Sequence, residues 1–219
     1  MKFYVAITTL FFDLDGTISN NLLGIHRCLN YAFERLGAPQ ISLQQTLPLV
    51  GPPFRESLPK LYPELDVERA ILAYRERYDE YGWLENELYD GIADSVRRLH
   101  LQGFTIALCT SKPRVFAERI ISRFDLARYF DGIHGPELDG RFDRKDELLA
   151  HLVRSYGIAP HSGLMIGDRD KDILAAKHAG TRSLGVLWGF GSQAELETAG
   201  AAKVVEHPLQ LQHTIHSYE

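Results

Sequence analysis

The sequence predicts an α/β protein with a Rossmann-like parallel sheet, helices on both of its faces, and an all-α helical cap inserted after the first strand. Three observations predict it. Apolar strand-like runs recur at residues 3–12, 104–109, 163–166, 182–187 and 203–205. Segments of helical periodicity (92–101, 114–124, 145–156, 173–179 and 194–198) alternate with the later runs. Residues 17–88 carry helical periodicity and no convincing strand. Continuous apolar strands alternating with helices are the pattern of a parallel sheet covered on both faces. In such sheets ligands bind outside the carboxyl ends of the strands, so the polar residues just after each strand carry the interest.

The first run is broken by Thr8 and Thr9 and ends in Asp13. It lacks the small-residue cleavage site of a signal peptide and is too short to span a bilayer. It is read as the first strand, and the protein as cytoplasmic. Helix-like stretches follow at 25–36, 43–50, 54–61 and 67–81. An insert of this size is far longer than the roughly dozen-residue minimum of a parallel crossover. It reads as a helical subdomain over the carboxyl edge of the sheet, giving a core of residues 1–17 and 88–219 and a cap of 18–87. Gly82 and residues 85–90 mark the return to the core, and 18–21 and 83–90 are the hinge candidates. Tyr74, Tyr78, Tyr81 and Trp83 have mostly helical spacing and are read as cap packing rather than a stacking platform.

The chain has 219 residues, 45% hydrophobic and 24% charged. That is ordinary for a globular protein and enough to bury a core without disulfide or metal staples. A net charge of −5 argues against a nucleic-acid backbone or a membrane surface as partner. It leaves room for a small anion in a locally positive pocket; a monomer or dimer is expected. Cys28 and Cys109 are far apart and lack metal-type spacing. Cys109 ends an apolar run and is read as a buried strand residue, not a nucleophile. His207, His213 and His216 have no carboxylate or thiol to complete a metal site, so a surface helix is the better reading.

Chemistry-bearing groups gather at the strand ends. The first strand offers Asp13, Asp15 and Thr17 around Gly16, the second Thr110, Ser111 and Lys112, and a helix start Lys145. The run 163–166 ends in Gly167-Asp168, with Asp170 and Asp172 following. Strand residues alternate faces, so Asp13 and Asp15 point the same way. Carboxylates from two strand ends repel unless a cation lies between them, and oxygen-only ligands favour a hard ion such as Mg²⁺. A lone Asp-x-Asp is usually a turn or a solvated pair. The ordered combination is what carries the signal.

This arrangement resembles the haloacid-dehalogenase-like hydrolase superfamily, and within it the phosphatases similar to phosphoglycolate phosphatase. Asp13-Leu14-Asp15-Gly16-Thr17, Thr110, Lys145, and Gly167-Asp168 through Asp172 with Ala179-Gly180 match its four motifs in order. Gly51-Pro52-Pro53-Phe54-Arg55 and residues 85–91 look like its cap loop and cap exit. The resemblance implies a Mg²⁺-dependent phosphatase acting on a small phosphomonoester: phosphoglycolate-like, a nucleotide or a sugar phosphate. It implies Asp13 as the nucleophile that becomes an aspartyl-phosphate, and Asp15 as general acid and base. Lys145 would neutralise Asp13 and the transferring group. Asp13, the carbonyl of Asp15, and Asp168 would hold the metal, with Asp172 acting nearby. Thr110, Ser111, Lys112, Gly16 and Thr17 are expected around the phosphate. Lys112 could face the phosphate or cap a strand end. Arg55 could reach the leaving group or pair with Glu56 or solvent. Asp170 is expected to be a solvated first-turn residue.

Asn20-Asn21 replaces the Asp-Ser pair usual in relatives, which removes a charge at the cap entry. A phosphomutase on the same core and a non-catalytic binding protein are the alternatives. A dehalogenase fits less well, because Asp15 matches the second carboxylate that dehalogenases lack.

Overall fold

The computed structural model describes residues 6–218. Six strands form one parallel sheet: β1 (Thr9–Phe12), β4 (Thr105–Cys109), β5 (Gly132–His134), β6 (Gly163–Gly167), β7 (Arg182–Val186) and β8 (Lys203–Val205). Their order is β5-β4-β1-β6-β7-β8. Residues 3–5 of the first predicted strand lie outside the described residues. β1 is central and pairs with β4 on one side and β6 on the other, Phe12 standing opposite Leu108 and Ile166. The chain switches direction across β1, so its carboxyl end lies at the crevice where such sheets bind ligands.

Both faces of the sheet are covered, as the apolar runs require. Phe11, Ala107, Cys109 and Met165 point to one face and form a buried cluster with Leu148, Leu149 and Leu152 of α7 (Lys145–Ser155) and Ala175 and Ala176 of α8 (Asp170–Ala179). The alternating residues Leu10, Phe12, Ile106, Leu108, Leu164 and Ile166 point the other way and are equally inaccessible. α8 stops at Gly180, whose φ of +73° gives the left-handed cap that suits glycine. The remaining core helices are α5 (Ile92–Leu101), α6 (Arg114–Arg123), α9 (Gln193–Ala199) and α10 (Leu211–His216).

The chain divides into two compact units, one running up to Ser19 and resuming at Leu88, the other spanning Asn20–Glu87. The second unit is helical: α1 (Leu22–Arg35), α2 (Leu43–Thr46), α3 (Phe54–Leu61) and α4 (Val67–Glu80). α1 packs on α4, with Ile25, Leu29, Ala32 and Phe33 of α1 and Ala70, Ile71, Tyr74 and Tyr78 of α4 buried. Tyr74 stacks on Tyr78 at 5.4 Å and meets Phe54 edge-on at 4.7 Å, so these rings are packing, as predicted; Tyr81 is exposed. Asn30 of α1 ties down the following loop by exchanging hydrogen bonds with both the N–H and the carbonyl of Ile41.

Three strands escaped the sequence reading. β5 is a three-residue edge strand. β2 (Ser19–Asn20) and β3 (Glu87–Leu88) form a two-stranded ribbon at the two chain crossings, inside the predicted hinge segments. Runs of two or three residues have too few positions for a period to register. No described helix is long and apolar enough to cross a membrane.

Candidate active site

The site begins at the end of β1. The Asp13 N–H donates to the Ile166 carbonyl, extending the β1–β6 ladder by one residue. Its carboxylate is buried and accepts the Leu14 N–H at Oδ1, 2.7 Å away. The chain then turns back at once: Gly16 has φ +88°, and its N–H donates to the Ser19 carbonyl. A Cβ on Gly16 would lie 2.1 Å from Asp168 Oδ2, so only glycine lets the turn lie against that carboxylate.

Three carboxylates converge beside it. Asp13, Asp168 and Asp172 are all buried, and each offers an oxygen within 4.8 Å of the others. Lys145, at the first position of α7, places Nζ 2.8 Å from Asp13 Oδ2 and 2.6 Å from Asp172 Oδ1. A lysine at a helix start opposes the helix dipole, and these two carboxylates compensate it. Burial alone would lower its pKa; Asp13 and Asp172 outweigh that and hold the ammonium above its ordinary value. Asp172 also accepts the Arg169 N–H at 3.0 Å, closing the first turn of α8. Gly167 makes room for it, since a Cβ there would come 2.1 Å from the Asp172 carboxyl carbon.

Burial pushes Asp172 up to about 6 despite its ion pair with Lys145, and pushes Asp168 well above the carboxylate range, each abetted by the neighbouring carboxylates. Three carboxylates against one ammonium leave a formal charge of −2 in a buried place. A divalent cation would cancel it, and an all-oxygen donor set suits Mg²⁺. The residues present therefore fit that ion.

At the end of β4, the Thr110 N–H donates to the His134 carbonyl, and its hydroxyl accepts the Lys112 N–H at 3.2 Å. Lys112 is buried, and its Nζ lies 3.0 Å from Asp15 Oδ2. Of the two roles left open for Lys112, this contact is a third: it engages the second carboxylate of the first motif. Ser111 is half-buried beside it. Thr17 departs from the expectation of phosphate contact. It is fully buried, and its hydroxyl is turned to Asp168 Oδ1 at 3.4 Å, because the turn at Gly16 carries it inward.

Four residues after β7 belong to the same place and were not anticipated. The Trp188 indole N–H donates to the Thr17 carbonyl at 2.9 Å, and the Phe190 N–H donates to Asp168 Oδ2 at 2.7 Å. Gly189 and Gly191 separate them. The only signal in the sequence was a Gly-x-Gly pair after a strand, which is too common to single out.

The remaining candidates make other contacts. Arg55 belongs to the helical unit and makes a two-pronged pair with Glu68 at 2.8 and 3.0 Å. Asp170 is outside the carboxylate cluster; its N–H donates to Glu195 and its carboxylate accepts the Lys171 N–H. Burial pushes the Cys109 thiol up, so it stays protonated and inert. His213 and His216 are exposed on α10, and His207 caps the turn before it through Nδ1. Among the described residues only the Asp13, Asp168 and Asp172 group has the makings of a metal site.

Comparison with known proteins gives a consistent result. Residues 10–186 match the family model described as haloacid dehalogenase-like hydrolase. A 5′-nucleotidase of Pseudomonas aeruginosa is 40% identical over 85% of this chain and 86% of its own length. Tyrosine-protein kinase PtkA of Mycobacterium tuberculosis is 34% identical over 90% of this chain and 67% of its own. A phosphoglycolate phosphatase of Vibrio vulnificus is 31% identical over 84% and 85%. A solved structure described as a predicted phosphatase from Clostridium acetobutylicum superposes with a TM-score of 0.92 at 34% identity, covering 96% of this chain and 99% of the other.

Proposed function

This chain belongs to the haloacid dehalogenase-like hydrolases and is a phosphoric monoester hydrolase, and from that premise we propose that it hydrolyses a small phosphomonoester with Mg²⁺ through an aspartyl-phosphate on Asp13. The observation that carries the reading is the Lys145 ammonium shared between Asp13 and Asp172 beside the Asp168 carboxylate. A nucleoside 5′-monophosphate is the favoured substrate, on the 40% identity to a 5′-nucleotidase.

Attack by a carboxylate on a phosphate sets anion against anion. Two unit charges ~4 Å apart cost about 4 kcal/mol at an effective dielectric near 20. Lys145 offsets part of this, since its ammonium is already 2.8 Å from Asp13. Mg²⁺, held by the Asp13 and Asp168 carboxylates and the Asp15 carbonyl with Asp172 nearby, would supply the remaining positive charge and orient the phosphate. An Asp13 oxygen bonds to phosphorus while the ester oxygen leaves and takes a proton from Asp15. A water then attacks the phosphorus of the aspartyl-phosphate and gives its proton to Asp15, while the bond between phosphorus and the Asp13 oxygen breaks and frees the carboxylate. Inorganic phosphate departs, and both carboxyl groups return to their starting states. Thr110, Ser111 and Lys112 stand at the neighbouring strand end, where the phosphate oxygens need donors.

The experiment is a phosphomonoester panel, nucleoside 5′-monophosphates included, with and without Mg²⁺, ranked by kcat/KM and read as free phosphate released. Mg²⁺-stimulated release with a nucleotide at the head of the ranking is expected. Transfer of the phosphoryl group to a tyrosine or a sugar without free phosphate would overturn the hydrolytic reading.

A further inference from the structure

We propose that Trp188-Gly189-Phe190-Gly191, the segment that follows β7, is the positioning element of the cation site, locking the Asp168 carboxylate and the turn after Asp15 into one unit. The inference rests on the reading of Asp13, Asp168 and Asp172 as cation ligands.

The contacts form a closed circuit. The Phe190 N–H fixes Asp168 Oδ2 at 2.7 Å. Thr17 Oγ1 approaches Asp168 Oδ1 at 3.4 Å, and the Thr17 carbonyl accepts the Trp188 indole N–H at 2.9 Å. Segment, carboxylate and turn therefore hold one another across more than 150 residues of sequence. A lone carboxylate rotates about its Cβ–Cγ bond. One oxygen tied to a backbone donor cannot, and Oδ1 is left as the oxygen without a backbone donor.

The glycines make the closeness possible. A Cβ on Gly189 would come 2.2 Å from the Gly16 carbonyl and 2.5 Å from the Asp168 side chain. A Cβ on Gly191 would come 1.9 Å from the Asp168 carbonyl. Among the described residues no lysine or arginine pairs with Asp168, although it is fully buried. Its orientation is thus set by this segment and Thr17, not by a counter-ion. Groups that hydrogen-bond a ligating carboxylate commonly change metal affinity by roughly 10–100-fold when removed.

The test measures Mg²⁺ binding by calorimetry on the full chain, with Mn²⁺ paramagnetic resonance as a second probe. Trp188→Phe keeps the ring and loses the indole N–H. Its Kd for Mg²⁺ is expected to rise about 10-fold, with the melting temperature of the metal-free protein little changed and kcat recovered at saturating Mg²⁺. Gly189→Ala, which forces the segment off the Gly16 turn, is expected to weaken binding further. Wild-type Mg²⁺ affinity in both variants would overturn the positioning role while leaving the cation site intact. No divalent binding by the wild-type protein would overturn the site itself, and the inference with it.

Discussion

Buried Lys112 and half-buried Asp15 form an ion pair, Nζ to Oδ2 at 3.0 Å, joining the loops that follow two adjacent strands. With Lys145 on Asp13, each carboxylate of the first motif has its own lysine. The two pairs differ in consequence. Lys145 serves the group proposed to attack phosphorus, whereas Lys112 touches the group proposed to move a proton. Lys112→Met is therefore expected to lower kcat by about 10²-fold, the lower end of a general acid–base contribution, with a smaller change in KM. A change confined to KM in steady-state kinetics would instead assign Lys112 to the phosphate.

Asp13→Asn removes the proposed nucleophile and keeps its shape. Turnover of a generic phosphomonoester in Mg²⁺ is expected to fall on the order of 10³-fold or more, as for other nucleophile deletions, with the circular dichroism spectrum unchanged. Turnover at the wild-type level would refute the assignment.

Lys145→Met leaves Asp13 and Asp172 buried without their ammonium. Breaking a buried ion pair from one side typically costs about 3–5 kcal/mol. Urea denaturation of the metal-free protein should show a loss of that order, and activity should fall with it. A variant as stable as wild type would mean that the cluster does not depend on Lys145 for charge compensation.

Mg²⁺ should stabilise the fold by mass action. At 100 times its Kd, a ligand that binds only the native state adds about 2.7 kcal/mol. For a chain of this size that corresponds to roughly 5–10 °C in melting temperature. The shift is expected in the wild type, to vanish with chelator, and to be absent in Asp168→Asn.

Glu85 is the centre of charge in the helical unit. Arg77 meets it with two hydrogen bonds at 2.8 and 3.0 Å, and Arg27 with one at 2.7 Å. Chiefly through Arg77, its pKa is held below the ordinary value. A depressed carboxylate contributes stability that is present above its unfolded pKa and lost as pH falls through the folded one. Glu85→Gln should cost about 1 kcal/mol near neutral pH, and the difference from wild type should close as pH drops below the ordinary range for Glu. A gap that persists at acidic pH in thermal melts would exclude the charge as its source.

The sequence by itself determined the sheet's long strands, the helical insert, and which carboxylates and lysines stand at strand and helix ends. Those features are local. An apolar run declares a strand, a 3.6-residue period declares a helix, and a short motif keeps Asp13 two residues from Asp15 wherever the chain goes. It did not determine that Lys112 meets Asp15, that Thr17 turns inward to Asp168, that Arg55 pairs with Glu68, or that Trp188 and Phe190 close on the site. Nor did it reveal β5, β2 and β3, which are too short to show a period. The contacts at Asp168 join residues 22 and 151 positions apart, and the Trp188–Thr17 bond spans 171. No pattern along the chain encodes such separations. They follow from the order β4-β1-β6-β7, which brings the carboxyl ends of these strands together, and from glycines whose missing Cβ atoms let backbone lie against a buried carboxylate.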